Sequence, residues 1–273
     1  MKIKNIYAVY FSPTGNTKKI ACFMAEKMAE QLNCPHKEIS FTLPEERNQT
    51  YTFGPDDFVV IASPTYAGKL PNKILPDFKE KLKGDGSPAA ALVTFGNRSF
   101  DNSLAELCAV LEASGFQTVA GGAFACRHAF TDKLAPGRPD EADLKELAIL
   151  AERTADKLRN TDGIFSPVNV DGDADAPYYV PKGMDGQPAK FLKAVPKTHE
   201  ELCIRCGACA RLCPMGSIDP EEPGNVTGIC IKCQSCIRGC PQQAKYFDDP
   251  AFLSHVAMLE ENFAEPKKNH KYL

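Results

Sequence analysis

No stretch of the 273-residue sequence approaches the roughly 20 consecutive apolar residues that a membrane-crossing helix needs, so membrane insertion is not expected. Basic blocks are missing too. The formal net charge is −3, and no Lys/Arg run rises above an ordinary solvated face, which leaves no case for nucleic acid or an anionic membrane as partner. A dinucleotide fingerprint of the form G-x-G-x-x-G is absent, so direct oxidation of NAD(P)H is not expected. Lys2 and Lys4 precede a short apolar run that superficially looks like a leader. The run stops after Phe11 at Ser12-Pro13-Thr14-Gly15, shows no small-residue cleavage pattern and reads as a strand, which predicts a cytoplasmic protein. What the chain does have is apolar material for a sizeable core (43% hydrophobic, 25% charged) and length enough for two domains.

The pattern over residues 1–160 alternates between the periods of strand and helix. Residues 3–11, 37–40, 57–63, 89–95 and 117–126 read as strands, and the continuous apolar character of 57–63 suggests a sheet covered on both faces. Residues 16–32, 71–82, 102–115 and 141–158 read as helices, with Pro76 expected to divide or kink the second and Gly115 to close the third. Strand–helix alternation with short loops predicts an α/β fold with an open, five-stranded parallel sheet. Right-handed crossovers put its ligand site at the carboxyl ends of the strands, on loops 12–17, 64–71 and 96–102. Residues 161–196 lose all periodicity in Gly, Pro, Asp and Tyr and read as a linker or docking segment. Residues 248–273 read as a short helix followed by a charged tail.

Twelve cysteines are many for a cytoplasmic chain, and their placement matters more than their number. Cys22, Cys34, Cys108 and Cys126 are scattered through helix and strand patterns and read as buried small hydrophobes. The other eight crowd into residues 197–247 as two runs, Cys203-x2-Cys206-x2-Cys209-x3-Cys213-Pro214 and Cys230-x2-Cys233-x2-Cys236-x3-Cys240-Pro241, which form an internal repeat. Three thiolates at this spacing wrap one cubane while the fourth completes its neighbour. One [4Fe–4S] cluster is therefore assigned to Cys203, Cys206, Cys209 and Cys240, the other to Cys230, Cys233, Cys236 and Cys213. Zinc would use paired Cys-x2-Cys units and leave the third cysteine and the Cys-Pro of each run without a role. Amides around Gly207, Gly216 and Gly239 are expected to donate to the sulfurs, and residues 217–229 to form a hairpin over a cluster. The module resembles the bacterial two-cluster ferredoxins, a small α+β fold.

Ser12, Thr14 and Thr17, with Gly15 and Asn16 between them, lie between the first strand and the first helix. Hydroxyls, successive amides and a helix N-terminus suit a terminal monophosphate, and there is no P-loop lysine. The segment resembles the FMN phosphate loop of the flavodoxins, S/T-x-T-G-x-T, a resemblance that covers residues 1–160 and implies the strand order 2-1-3-4-5. It also implies that the loop with Thr65, Tyr66, Ala67, Gly68 and Lys69 meets the isoalloxazine, with Tyr66 stacking on it. On the residues alone, the alternative for Tyr66 is an ordinary loop aromatic packed on its neighbour helix. Phe95, Gly96, Asn97 and Arg98 are placed on the pyrimidine side, Asn97 pairing with a ring carbonyl or N–H, and Lys69 and Arg98 depart from the acidic surroundings common in that family. Arg127 and His128 follow the fifth strand, and a surface-loop role and one beside the flavin remain open for them.

The whole order, flavodoxin-like domain and then two-cluster module, resembles the ferredoxin-containing flavodoxins of the EFR1 type, which implies an anaerobic host. It implies electron transfer between FMN and two [4Fe–4S] clusters, onward to a soluble redox protein or reductase. Two alternatives stay open: an FMN-dependent reductase of a small conjugated acceptor such as a quinone, with His128 or Arg98 binding it, and a flavodoxin-fold protein that docks partners without redox chemistry.

Overall fold

The computed structural model describes residues 2–161 and 163–273. Its strands are β1 (Asn5–Tyr10), β2 (His36–Ser40), β3 (Tyr51–Phe53), β4 (Asp57–Pro64), β5 (Leu82–Gly84), β6 (Pro88–Phe95), β7 (Gln117–Ala125), β8 (Lys197–Thr198), β9 (Lys245–Tyr246) and β10 (His270–Tyr272). Its α-helices are α1 (Asn16–Leu32), α2 (Leu75–Lys81), α3 (Ser103–Ala113), α4 (Glu141–Arg159), α5 (Ala208–Arg211), α6 (Ser235–Arg238) and α7 (Pro250–Asn262).

The main sheet runs β2-β1-β4-β6-β7-β10. Its first five members are parallel, and counted among themselves they follow the flavodoxin order 2-1-3-4-5. The apolar runs of β4, β6 and β7 are buried on both faces because the sheet separates two cores. One face packs on α1 and α4 through Ile20, Met24, Met28, Leu147 and Leu150, the other on α2 and α3 through Phe78, Leu104, Leu107 and Leu111. β3 and β5 form a separate two-stranded ladder that the apolar pattern did not announce.

Two expectations need correction. Pro76 does not divide a helix: α2 begins at Leu75, so the proline falls in the first turn, where its missing N–H has no intrahelical partner to lose. Nor is the end of the chain merely a charged tail. His270–Tyr272 pairs antiparallel with β7, making the sheet mixed and covering an edge that would otherwise be open.

Asn269 anchors that last strand, its Oδ1 accepting from the Ala125 amide at 3.0 Å and its Nδ2 donating to Asp143 Oδ1 at 2.8 Å. Burial pushes the Asp143 carboxyl upward, but Arg138, Asn269 and the Asp140 amide outweigh it and hold the pKa below the ordinary value. A carboxylate with a depressed folded pKa contributes stability above its unfolded pKa and loses it as pH falls towards the folded one. Chemical denaturation followed across that acid range should show stability declining on acidification in the wild type. Asp143→Asn should be less stable near neutrality and show a shallower decline; an unchanged slope would refute the assignment.

Candidate functional site

The carboxyl ends of β1, β4 and β6 open on a cavity of about 490 Å³. At one end lie Pro13, Thr14, Asn16 and Thr17, where Gly15 takes a φ of 91° and α1 begins without acidic residues in its first turn. Thr17 is buried and shares a 2.8 Å hydrogen bond with Thr94 on β6, which fixes the loop to the sheet. Ser12 and Gly15 shape this loop without lining the cavity, and the Ser12 hydroxyl accepts the Lys18 amide at 2.9 Å.

Thr65, Tyr66, Ala67 and Gly68 line the middle of the cavity. Paired Tyr66 and Lys69 backbones close a tight turn in which Ala67 and Gly68 both have positive φ, 48° and 79°. Glycine is required at 68 on a second ground, because a Cβ there would sit 2.3 Å from an Asp101 carboxylate oxygen. Phe95, Gly96 and Arg98 line the same space. Arg98 pairs with Asp101 and lies over the Tyr179 ring at 4.0 Å, so its charge is locally compensated.

Lys69 and Asn97, both expected beside the ring, do not line the cavity. Buried Lys69 forms an ion pair with Glu106 at 3.1 Å and donates to the carbonyls of Ala174 and Ala176, tying residues 174–176 to the sheet. Asn97, with φ 68°, donates to Phe263 O and Glu265 O and accepts the Lys267 amide, anchoring the chain that leads to β10. Both residues sit in the expected loops, but segments distant in sequence occupy their polar groups.

Those distant segments also supply walls of the cavity that the sequence pattern did not reveal. Tyr178, Tyr179, Pro181, Phe191 and Leu192 line it, with Tyr178 Oη donating to Leu70 O and the Tyr179 amide to Ala67 O, both at 2.8 Å. The paired tyrosines of DAPYYVP were the available signal. His255 and Leu259 of α7 complete the far end beside His128 and Phe130. His128 therefore faces the cavity; burial, followed by His255, Arg238 and Arg98, lowers its pKa to about 4, so it is neutral near pH 7.

The eight clustered cysteines divide into two quartets. One small cavity is lined by Cys203, Cys206, Cys209 and Cys240, another by Cys213, Cys230, Cys233 and Cys236. Each quartet takes three residues from one run and the fourth from the other. Among the described residues no three Cys, His, Asp or Glu side chains converge as one metal ion requires. Four thiolates around a common space fit a cubane that takes one at each corner.

The repeat extends to the backbone. Positive φ occurs in the matching pairs Arg205/Lys232, Gly207/Gln234 and Gly216/Gln243, and α5 and α6 follow Gly207 and Gln234. Backbone amides directed at sulfur include Ser217 to Cys213 at 3.3 Å, its repeat mate Ala244 to Cys240 at 3.2 Å, and Lys232 to Cys230 at 3.4 Å. Ser217 adjoins Gly216, one of the glycines around which such donors were expected; the glycine turns the chain so that the next amide points back at sulfur. Between the runs, Ile218 and Val226 bridge antiparallel, the expected hairpin. Burial pushes the Cys233 thiol well up and the Cys236 thiol to about 12, so a bound cation is what would make them thiolates. Burial likewise raises Cys22 and Cys108 to about 12 and pushes Cys34 and Cys126 up, which suits inert thiols.

Cys233 lines both the second small cavity and the large one. Two guanidinium groups hold that shared wall. Arg238 donates to His128 O at 3.1 Å and Ala129 O at 3.0 Å and pairs with Asp132, while buried Arg47 donates to Pro214 O at 2.7 Å and pairs with Asp77.

Residues 196–219 match the family model described as 4Fe-4S binding domain, and residues 227–246 match a second model of that description. The chain joins a flavodoxin-like sheet to a ferredoxin-type two-cluster module. No curated protein matches it. Among solved structures, a flavodoxin from the domain Archaea is similar at 19% identity over 58% of this chain and 100% of its own, with a TM-score of 0.42. Flavodoxin 2 from Bacillus cereus is similar at 20% identity over 56% of this chain and 99% of its own (TM-score 0.40). The flavodoxin of Fusobacterium nucleatum bound to flavin mononucleotide is similar at 14% identity over 57% and 98% (TM-score 0.37). The ferredoxin-type module has an exposed end at Cys206 and a covered one at Cys236. No helix among the described residues is long and apolar enough to cross a membrane.

Removing one partner of a buried ion pair leaves the other uncompensated. Lys69→Met should therefore cost about 3–5 kcal/mol in chemical denaturation. Adding Glu106→Gln should recover part of that loss. A single variant as stable as the wild type would show that Lys69 does not hold the segment.

Proposed function

We propose that the protein is an electron carrier that exchanges electrons between FMN in the large cavity and two [4Fe–4S] clusters, and onward with a soluble redox protein. The observation that carries this reading is Cys233, one residue forming a wall of both the large cavity and the cavity of the inner cysteine quartet. A bound flavin exchanges electrons singly or in pairs and a cubane exchanges one, so their combination lets pair-wise and single-electron partners communicate.

Each protein group has a distinct part in this reading. Thr14, Asn16, Thr17 and the first turn of α1 hold the phosphate through hydroxyls and amides, supported by the absence of acidic residues there. Tyr66, Ala67, Gly68, Phe95, Gly96 and Arg98 seat the ring, Gly96 being required because a Cβ would lie 2.3 Å from His128 Cδ2. Arg98 brings little net charge to the ring because Asp101 pairs with it, and Lys69 brings none because it lies off the cavity beside Glu106. Cys203, Cys206, Cys209 and Cys240 ligate the outer cluster, and Cys213, Cys230, Cys233 and Cys236 the inner one. Exposed Cys206 and Ile204 mark the outer quartet as the end a partner protein reaches. The same reading places the protein among ferredoxin-containing flavodoxins of the EFR1 type, in the cytoplasm of an organism that keeps oxygen from its clusters.

Anaerobically purified protein should carry about eight irons and about one FMN per chain, and spectroelectrochemical titration should show both kinds of absorption. Zinc in place of iron, or a protein that never takes up flavin, would sink the proposal. Cys206→Ala should abolish the outer cluster and delivery to a protein partner, while FMN stays bound and still exchanges electrons with the inner cluster. Thr14→Ala should weaken FMN about tenfold or more, the cost of one hydrogen bond to a charged group, without changing the iron content. Equal flavin affinity in that variant would remove the phosphate assignment.

A further inference from the structure

The large cavity runs past the ring-seating loops to a wall built from other parts of the chain, namely Phe130, Phe191, His128, His255 and Leu259. The aromatic rings brace one another: His128 meets Phe130 edge-on at 5.0 Å, and His255 stacks on Phe191 at 5.4 Å with 27° between the planes. The hydrogen bonds of the two imidazoles define their free nitrogens. His128 Nδ1 accepts the Phe130 amide at 3.0 Å, so in the neutral ring the proton is on Nε2. His255 Nδ1 lies 2.8 Å from Lys182 O and must donate to it, so in the neutral ring Nε2 is bare. Neither Nε2 has a protein partner in the described structure. Burial lowers both pKa values, which keeps both rings neutral near pH 7. One free donor and one free acceptor thus stand in an otherwise aromatic and aliphatic wall, and His255 is 95% buried.

We propose that this far end is a binding subsite for a small, planar, conjugated carbonyl compound that also carries a hydroxyl, His128 Nε2–H donating to the carbonyl and His255 Nε2 accepting from the hydroxyl. Stacking against Phe130 and Phe191 suits a flat ring, and two polar contacts of opposite sense fix its orientation. The inference rests on FMN filling the remainder of the cavity, and it adds a small-molecule ligand to what is otherwise a carrier. Leaving either nitrogen buried and unpaired is unfavourable, so the site should discriminate between ligands with and without the matching group.

The test uses holoprotein in the oxidised state and two probes without redox activity at the flavin, a hydroxyacetophenone and acetophenone itself, near neutral pH. Calorimetry should show the hydroxylated probe binding about tenfold more tightly, and binding should perturb the visible flavin spectrum. In His255→Phe the hydroxyl preference should vanish while acetophenone affinity changes little. His128→Phe should weaken both probes together, because both carry the carbonyl. In His255→Phe, a loss of affinity for both probes that leaves their ratio intact would overturn the assignment, as would wild-type protein with no preference. Flavin released from the same samples separates the two proposals. Protein without FMN defeats the carrier reading, whereas FMN-loaded protein without the hydroxyl preference defeats only the subsite.

Discussion

The contact between Arg238 and the carbonyls of His128 and Ala129 sets the relation of every other part. It joins the last turn of the second cysteine run to the loop after β7, and a guanidinium offers the planar set of donors needed to grip two carbonyls and Asp132 together. Arg47 does the same for the first run through Pro214. With both runs pinned, the inner quartet shares a wall with the large cavity, and the outer one faces solvent at Cys206. On the proposed reading, distance between redox groups decides whether single electrons pass between them, so these two arginines would matter as much as any ligand.

The chain departs from a bare flavodoxin-like sheet mainly in how it walls the cavity. Tyr178 and Tyr179 bring a long aperiodic segment across the opening, while α7 brings His255 and Leu259 to the far side. Aromatic rings and aliphatic side chains predominate there, and the few polar atoms left free are placed singly. Such a wall gives each remaining donor or acceptor more weight than it would have at the surface.

Much of this was legible in local spacing. Strand–helix alternation named a parallel α/β sheet, whose order came from the resemblance of its first loop to that of the flavodoxins, and the cysteine repeat grouped the eight thiols into the quartets that line the two small cavities. Asn97 and Lys69 misled because their loops were placed correctly while their partners came from residues 263–267 and 174–176, and no periodicity announces a contact of that separation. β10 was hidden for a different reason: His-Lys-Tyr has no apolar alternation, and its pairing depends on backbone groups meeting the free edge of β7. The sulfur-directed amides of Ser217 and Ala244 follow from positive φ at the preceding residues, one of which is glutamine and gives no sign of it.

Pairing of β10 with β7 returns the chain to the sheet after the cysteine runs. The iron-binding segment is thus a loop closed at both ends rather than a pendant on a flexible string. A pendant carrier collects an electron in one place and swings to deliver it in another, its reach set by the length of its leash. A segment moored fore and aft has given up that travel, so on the proposed reading any partner must come to it, and the rate of exchange would be governed by encounters at a fixed port.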